Sequence, residues 1–358
     1  MSGRPVLILA GGTGGHVFPA LAVAEALAER AVPVHWLGGA GLESRLVPAA
    51  GIPFTPLPGR GLRGSGLGRK LLGPPRLALA VLSAWRLVRR LKPRAAVGFG
   101  GYASGAGGIA AWLGSCPLVV HEQNAVAGYT NRVLARVAKR VLAGLPGAFG
   151  GRAELTGNPV REAFTQLAEP AQRFRGRRGP LRLAVIGGSQ GSRALNETVP
   201  AALAASGHEF QVRHLCGPRH LEATRAAYER AGAHATIQAF EEDMAGLCAW
   251  ADLAIARAGA LTLAEFAAAG LAAILVPFPW AVDDHQTANA RVLVAAGAAS
   301  LLPHGELSPA RLADELDQLA AGGRPRLREM AERARRLGRP DAAARVARAV
   351  LEVAEEAA

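Results

Sequence analysis

The sequence predicts an α/β protein built from two doubly wound halves. Three observations carry that expectation. A strand, a glycine-rich turn and a helix follow one another without a gap in Val6 to Leu27, VLILAGGTGGHVFPALAVAEAL. The same grammar returns in Leu183 to Asn196, LAVIGGSQGSRALN. Around these units short apolar runs alternate with helical or glycine-rich pieces, the pattern of a parallel sheet covered on both faces. A chain of 358 residues is long enough for two such domains, each with its own core.

In the first unit Val6, Leu7, Ile8 and Leu9 form the continuous apolar run of a buried parallel strand. Gly11, Gly12, Gly14 and Gly15 follow, residues that tolerate positive φ and close backbone approach. A helix expected from about Pro19 points its unpaired N–H groups and positive dipole end back at this loop, where a phosphate or a developing oxyanion is stabilised. A plain turn capped by His16 is the simpler alternative, but four glycines exceed what a turn needs. His16 is the one titratable side chain in the loop.

Further strands are expected at Val34–Leu37, Ala95–Phe99, Pro117–His121 and Arg140–Ala143. Ala95 to Val120 carries no charge over 26 residues, enough to cross a bilayer, but its seven glycines divide it into strand, small helix and strand. Glu122, Gln123 and Asn124 then stand where open α/β sheets place ligands, and read as binding groups rather than strand-end caps. Gly157 to Arg161 reads as a turn leaving the first domain, with Arg161 suited to a phosphate. Gln166 to Pro180, rich in Arg, Gly and Pro, reads as a linker.

In the second half Leu181–Ile186 is an expected strand and Gly187 to Gly191 its glycine loop, in which Ser189 can donate its hydroxyl to a phosphate oxygen. Ala251–Ile255 is the next strand, followed by a helix opening at Arg257 to Thr262 with Glu265 in its first turns. A carboxylate there accepts both hydroxyls of a ribose or simply complements the helix dipole. Leu275–Pro279 is a further expected strand, with Asp283, Asp284, His285, Gln286 and Asn289 after it at the same sheet edge.

Several classes are disfavoured. From Gly12 and Gly14 a dinucleotide fingerprint requires a third glycine at Val17, and no Walker pattern is present. Gly187-x-Ser189-x-Gly191 also matches the nucleophile elbow of an α/β serine hydrolase, with Asp284 and His285 or His304 downstream. The duplicate loop at Gly11 has no serine, so phosphate cradling explains both loops and the elbow only one. Asp283 and Asp284 lack a third ligand for a metal. Cys116, Cys216 and Cys248 have no metal-site spacing and are odd in number, so a reducing interior is expected. Too few apolar residues precede the first glycine loop for a signal-peptide core.

The net charge of +13 is unevenly placed: residues 1–160 hold 18 Lys+Arg against 5 Asp+Glu, and residues 161–358 hold 23 against 23. From Arg60 to Arg94 there are ten basic residues and no acidic one, mixed with leucines and Trp85. In a helix starting near Pro75, Leu77, Val81, Ala84, Val88 and Leu91 share the core face. Leu79 and Leu82 fall opposite, with Arg86, Arg89 and Arg90, and Trp85 at the border. With 38 Arg and only three Lys, compositional bias is the plain account of the charge. Apolar residues among the arginines favour contact with an anionic membrane instead. No nucleic-acid-binding signature accompanies them.

The combination GGTGGHVFPALAVAEAL, GFGGYASGAGGIAA, HEQNAVAGYTNR, GNPVR, GGSQGSRALN, RAGALTLAE and PFPWAVDDHQTANA resembles, nearly end to end, the MurG family of peripheral-membrane N-acetylglucosaminyltransferases. The resemblance implies the GT-B fold, two Rossmann-like domains facing across a cleft: residues 1–160 with a returning helix at about 341–358, and residues 161–340. It implies inverting transfer of GlcNAc from UDP-GlcNAc to the MurNAc 4-hydroxyl of undecaprenyl-pyrophosphoryl-MurNAc-pentapeptide (lipid I), giving lipid II for peptidoglycan. No cofactor or essential metal is implied. The expected location is peripheral, on the cytoplasmic face of an anionic plasma membrane, with cell-wall synthesis or division proteins as partners and no nucleic acid. A GT-B transferase with another lipid or small-molecule acceptor is the alternative.

Carried over residue by residue, the resemblance places Thr13, Gly14, Gly15 and Asn124 on the donor sugar or the acceptor. Arg161 and Ser189 hold the diphosphate. Phe240 and the Glu241 backbone frame uracil, although Glu241 stands where an apolar residue is common. Ala260, Leu261, Thr262, Leu263, Ala264 and Glu265 line sugar and ribose, with Glu265 on the diol, and Gln286 holds the GlcNAc. His16 is the expected base, since a histidine's ordinary pKa near 6.5 suits proton abstraction at neutral pH.

Overall fold

A computed structural model describes residues 3–58, 67–188 and 190–357. The chain divides into two units, Met1–Arg161 with Arg339–Ala358, and Glu162–Gly338. The first contains β1 (Val6–Leu9), α1 (Gly14–Ala28), β2 (Val34–Gly38), α2 (Glu43–Ala49), β3 (Phe54–Pro56), α3 (Leu67–Leu91), β4 (Ala95–Gly98), α4 (Gly101–Leu113), β5 (Leu118–Glu122), α5 (Tyr129–Leu134), β6 (Arg140–Ala143) and β7 (Glu154–Leu155). All its strand pairs are parallel, in the order β3-β2-β1-β4-β5-β6-β7. The chain order reverses between β1 and β4, the crevice where ligands bind in open α/β sheets.

The unbroken apolar run of β1 follows from burial on both faces. Val6 and Ile8 pack with Val346, Ala347 and Val350 of the C-terminal helix (Ala342–Glu356), whereas Leu7 and Leu9 pack with Ala80 and Ala84 of α3 and Ala103 and Ala106 of α4. Glycines let α4 lie close on the sheet: a β-carbon at Gly107 would come within 2.6 Å of Leu9 and one at Gly108 within 2.7 Å of Leu134. The uncharged stretch 95–120 is therefore a strand, helix and strand. Among the described residues no helix is long and apolar enough to cross a membrane.

The second unit contains α6 (Glu162–Thr165), α7 (Pro170–Phe174), β8 (Leu181–Ile186), α8 (Arg193–Ala205), β9 (Phe210–Leu215), α9 (Leu221–Ala231), β10 (Thr236–Gln238), α10 (Met244–Trp250), β11 (Leu253–Ala256), α11 (Ala260–Ala269), β12 (Ala272–Leu275), α12 (His285–Ala295), β13 (Ala299–Leu301), α13 (Pro309–Ala321) and α14 (Gly323–Leu337). Its parallel sheet runs β10-β9-β8-β11-β12-β13, so the order reverses between β8 and β11. Each glycine loop thus leaves the central strand at a switch point.

Four expectations are corrected. Helix α1 begins at Gly14 rather than near Pro19: Thr13 is its extended N-cap and Val17 N–H already bonds to Thr13 O at 3.2 Å. Pro19 lies inside the helix, and His16 stands in its first turn rather than in the loop. Helix α3 begins at Leu67, about two turns before Pro75. Pro74 and Pro75 lie inside it and are exposed. Strand β12 is Ala272–Leu275 rather than Leu275–Pro279, because Pro277 and Pro279 cannot donate to a ladder, while Ala272 and Ala273 pair with Leu253 and Ala254. The arginine-rich 166–180 stretch is not a linker but part of the second unit.

In that stretch Phe174 enters the core. Arg173 donates to the carbonyls of Cys248 and Ala249 at the end of α10 and of Ala269 and Gly270 at the end of α11. Arg177 ion-pairs with Asp252, and Arg324 bonds to the other oxygen of the same carboxylate at 3.1 Å. Arg173 and Arg177 thus satisfy helix C-termini, where cations are favoured. Burial and neighbouring Arg177 push the Arg173 pKa down to about 10.

Candidate functional site

At the switch point of the first unit, two loops meet around His16. Gly11 O lies 3.4 Å from His16 Nδ1. Gly100 and Gly101, with φ of 103° and 79°, turn the chain from β4 into α4. A β-carbon at Gly101 would stand 2.9 Å from Gly11 O and one at Gly100 3.1 Å from His16 Nε2, so glycine is required for this approach. A carbonyl oxygen only accepts, so Gly11 favours the tautomer with the proton on Nδ1, leaving Nε2 as the basic nitrogen. Thr13 is exposed, and Gly14 and Gly15 are half-buried beside it. The Arg161 guanidinium lies over the Phe18 ring, 5.4 Å from its centre, one turn beyond the same loop.

Two buried carboxylates build this surface from behind. Glu43 accepts from Gly12 N–H at 3.1 Å and Gly39 N–H at 2.8 Å, tying the glycine loop to the loop after β2. Glu122 accepts from the Asn124 backbone and side chain, both at 3.0 Å, from Gly128 N–H at 3.0 Å and from Asn131 at 2.8 Å. The reading of Glu122 and Gln123 as ligand groups is corrected: both are buried strand-end braces, and Gln123 bonds to His121. Asn124, half-buried, is the member of that trio which Glu122 positions. His121 donates from Nε2 to Gly157 O at 3.0 Å, and burial pushes its pKa down to about 4.

In the second unit, Ser189 lies outside the described residues. Gly187 and Gly188 follow β8, and Ser192 caps α8 by accepting from Leu195 N–H at 3.4 Å. Phe240, 63% exposed, and Glu241 follow β10; Glu241 Oε1 accepts from Asp243 N–H at 3.0 Å. Ala260, Leu261, Thr262, Leu263, Ala264 and Glu265 form the first turns of α11, with the Glu265 carboxylate buried. Gln286 Oε1 accepts from Ala258 N–H at 3.2 Å and Phe278 N–H at 2.9 Å, and Asn289 donates to Ala258 O at 3.1 Å. Two side chains of α12 therefore clamp the loop that opens α11. Asp283 and Asp284 have φ of 53° and 46°, a left-handed pair that short polar side chains tolerate.

Asp284 and His285 do not pair as the partners of a hydrolase nucleophile would. His285 Nδ1 donates to Val282 O at 2.7 Å, and Asp284 accepts from Thr287 at 2.7 Å, so this histidine and acid do not form a relay. His208 does pair with a carboxylate, Asp317 at 3.1 Å, but it precedes β9 at the opposite sheet edge from Gly187. Among the described residues no three His, Cys, Asp or Glu side chains cluster to hold a metal ion. Sequence reasoning did not assign Glu43 or Arg257. The glycine-rich GGAG run ahead of Glu43, opening a helix just as the first loop does, was the available signal.

A separate surface lies on α3 and α4. Leu79 is 61% exposed, Leu82 40%, Trp112 55% and Leu113 55%. Pro74, Leu77, Val81, Leu82, Trp85 and Leu113 line much of an apolar groove of about 700 Å³. Arg89 lies over the Trp85 ring at 5.4 Å, and Arg86 and Arg90 are exposed beside it.

The family model described as the glycosyltransferase family 28 N-terminal domain matches residues 6–143, and the one described as the family 28 C-terminal domain matches residues 182–346. The UDP-N-acetylglucosamine--N-acetylmuramyl-(pentapeptide) pyrophosphoryl-undecaprenol N-acetylglucosamine transferase of Alkalilimnicola ehrlichii is 60% identical, over 98% of this chain and 99% of its own. The Aeromonas hydrophila protein of the same name is 51% identical over 96% and 95%. The crystal structure of Acinetobacter baumannii MurG is similar with a TM-score of 0.85 and 41% identity, covering 98% of this chain and all of that one. The calicheamicin glycosyltransferase CalG4, at 18% identity and a TM-score of 0.68, shares the fold. The matched models span most of both units, and the chain belongs to glycosyltransferase family 28.

Proposed function

We propose that the chain transfers N-acetylglucosamine from UDP-GlcNAc to the MurNAc 4-hydroxyl of a pyrophosphoryl-undecaprenol-linked N-acetylmuramyl-pentapeptide, with inversion at the anomeric carbon. The observation that carries this reading is the full-length likeness, through both units, to relatives named for this transfer. In the mechanism, His16 Nε2 takes the proton of the acceptor hydroxyl as its oxygen attacks the anomeric carbon and UDP departs from the opposite face. Asn124, Thr13, Gly14 and Gly15 orient the sugars, and Arg161 and the loop around Ser189 neutralise the diphosphate. Phe240 and the Glu241 backbone hold uracil, Glu265 the ribose hydroxyls and Gln286 the GlcNAc. The base thereby belongs to the first unit, and most of the donor contacts to the second.

The test is transfer of labelled GlcNAc from UDP-GlcNAc to a lipid I analogue with UDP-glucose and UDP-GalNAc competing. GlcNAc-selective transfer is expected. UDP binding without transfer reopens the acceptor, and absence of UDP binding overturns the assignment.

The exposed face of α3, with Leu79, Leu82, Trp85, Arg86 and Arg89, rests in this reading on the cytoplasmic surface of an anionic membrane, where its lipid substrate resides. Leucines and tryptophan enter the headgroup boundary while the arginines meet lipid phosphate. Replacing Leu79, Leu82 and Trp85 by Ser should abolish co-sedimentation with anionic vesicles while sparing transfer to a short-chain acceptor. Unchanged sedimentation sinks the membrane assignment.

A further inference from the structure

A buried histidine that the transfer mechanism does not use stands behind the second glycine loop. His214, on β9, is fully buried between Tyr228 of α9 and Asn196 of α8, which are buried with it. Its Nδ1 lies 2.9 Å from the Tyr228 hydroxyl and its Nε2 2.9 Å from Asn196 Oδ1. Asn196 Nδ2 in turn donates to Cys216 O at 3.0 Å. A carbonyl only accepts, which sets the Asn196 amide with its nitrogen towards Cys216 and its oxygen towards His214. Nε2 therefore carries the proton and donates to Asn196, and Nδ1 accepts from the Tyr228 hydroxyl. Burial pushes the His214 pKa down to about 3, so the ring is uncharged at physiological pH and has one proton to give.

The chain of bonds ends where β9 meets the loop. Gly191 closes the loop with φ of 76°, and Gly217 leaves β9 with φ of 87°. A β-carbon at Gly191 would collide with the Cys216 carbonyl, and one at Gly217 would stand 2.5 Å from Gln190 O and 2.6 Å from Gly191 N. The two backbones thus touch with no side chain between them. The same residues carry the next segment: Cys216 N–H donates to Gln238 O at 3.0 Å and Gly217 N–H to Ala239 O at 3.1 Å, directly before Phe240. Cys216 and Gly217 therefore join the loop assigned to the diphosphate to the segment assigned to uracil.

We infer that His214 is a positioning residue for the donor site: through Asn196 it fixes the Cys216 carbonyl, and with it the spacing between the second glycine loop and the Phe240 segment. This rests on the UDP-GlcNAc reading above. The relay itself touches no ligand. Without the Nε2 proton, Asn196 Oδ1 is a buried acceptor with no donor, its amide turns to find one, and Cys216 O loses its partner. A histidine that merely fills the core would depend on both ring nitrogens alike, whereas the relay depends on Nε2.

Calorimetry of UDP binding, with a melting curve for each variant, separates the two nitrogens. His214→Gln places an amide where Nε2 stands and keeps the link to Asn196, so UDP affinity should stay at the wild-type value. His214→Asn reaches only the Tyr228 side, and should weaken UDP by about 10-fold, the effect of one buried hydrogen bond. Tyr228→Phe loses a core hydrogen bond outside the link and should lower the melting temperature without changing UDP affinity. Asn196→Leu, close in volume but with no donor for Cys216 O, should weaken UDP as His214→Asn does, and tests the same link where His214→Asn does not fold. UDP affinity unmoved in His214→Asn and Asn196→Leu overturns the inference, as does affinity that falls in step with melting temperature across all four variants. A wild-type chain that does not bind UDP overturns the donor reading and the inference with it, so the two failures are distinguishable.

Discussion

Replacing His16 by Ala is expected to lower turnover by about 10²- to 10⁴-fold while UDP-GlcNAc still binds, the usual penalty for removing a general base. The sugar hydroxyl is a poor nucleophile until its proton leaves, and the histidine held between Gly11 O and the Gly100–Gly101 turn is the group proposed above to take it. The effect should fall on the chemical step, because uracil and ribose are assigned to the second unit and His16 belongs to the first. Single-turnover rates with saturating donor measure it directly. The pH–rate profile supplies a second readout: protonation of the base lowers the rate on the acidic side, and this limb should vanish in the variant. Full turnover in His16→Ala removes it from the role.

The doubly wound pattern was legible because β1, β4 and β11 are buried throughout and so must be apolar without interruption. The edge strands β3, β7, β10 and β13, two or three residues long, were not. They need only a partner's hydrogen bonds, which leave no periodicity in sequence. The helix starts near Pro19 and Pro75 were not legible because proline prefers a first turn, whereas here both prolines lie inside their helices.

At the site, glycines and the histidine were legible because their chemistry is local. Glu43 binds the Gly12 N–H, 31 residues away, and Arg257 the Val276 and Pro277 carbonyls, 19 and 20 residues away, so their importance appears only when the sheet brings those groups together. The exposed pair Leu79 and Leu82 was legible from helical spacing alone, since apolar residues among arginines stand out on a solvent face. Trp112 and Leu113, which extend that face from α4, were hidden in a segment whose uncharged composition reads as core.

Glu43→Ala should destabilise the first unit by about 2–4 kcal/mol, and the isosteric Glu43→Gln by about 1–2 kcal/mol, because two donors converge on the two oxygens of one carboxylate. A carboxamide offers one acceptor, and its NH₂ then faces a backbone N–H. Alanine removes both acceptors and empties a pocket so closely fitted that β-carbons at Gly11, Gly38 and Gly41 would come within 2.4, 2.8 and 2.7 Å of the Glu43 side chain. Gly12 is exposed, so water replaces its lost partner, which keeps the loss below that of two fully buried donors. For a unit of this size each kcal/mol lowers the melting temperature by about 2–4 °C. The functional consequence follows from the same bonds. With Gly12 released, Gly11 O no longer holds its place against His16, so acceptor turnover is expected to fall while binding of uridine, assigned above to the second unit, stays at the wild-type value. A Glu43→Gln melting curve that overlays the wild type, with acceptor kinetics unchanged, refutes this account of how the first glycine loop is held.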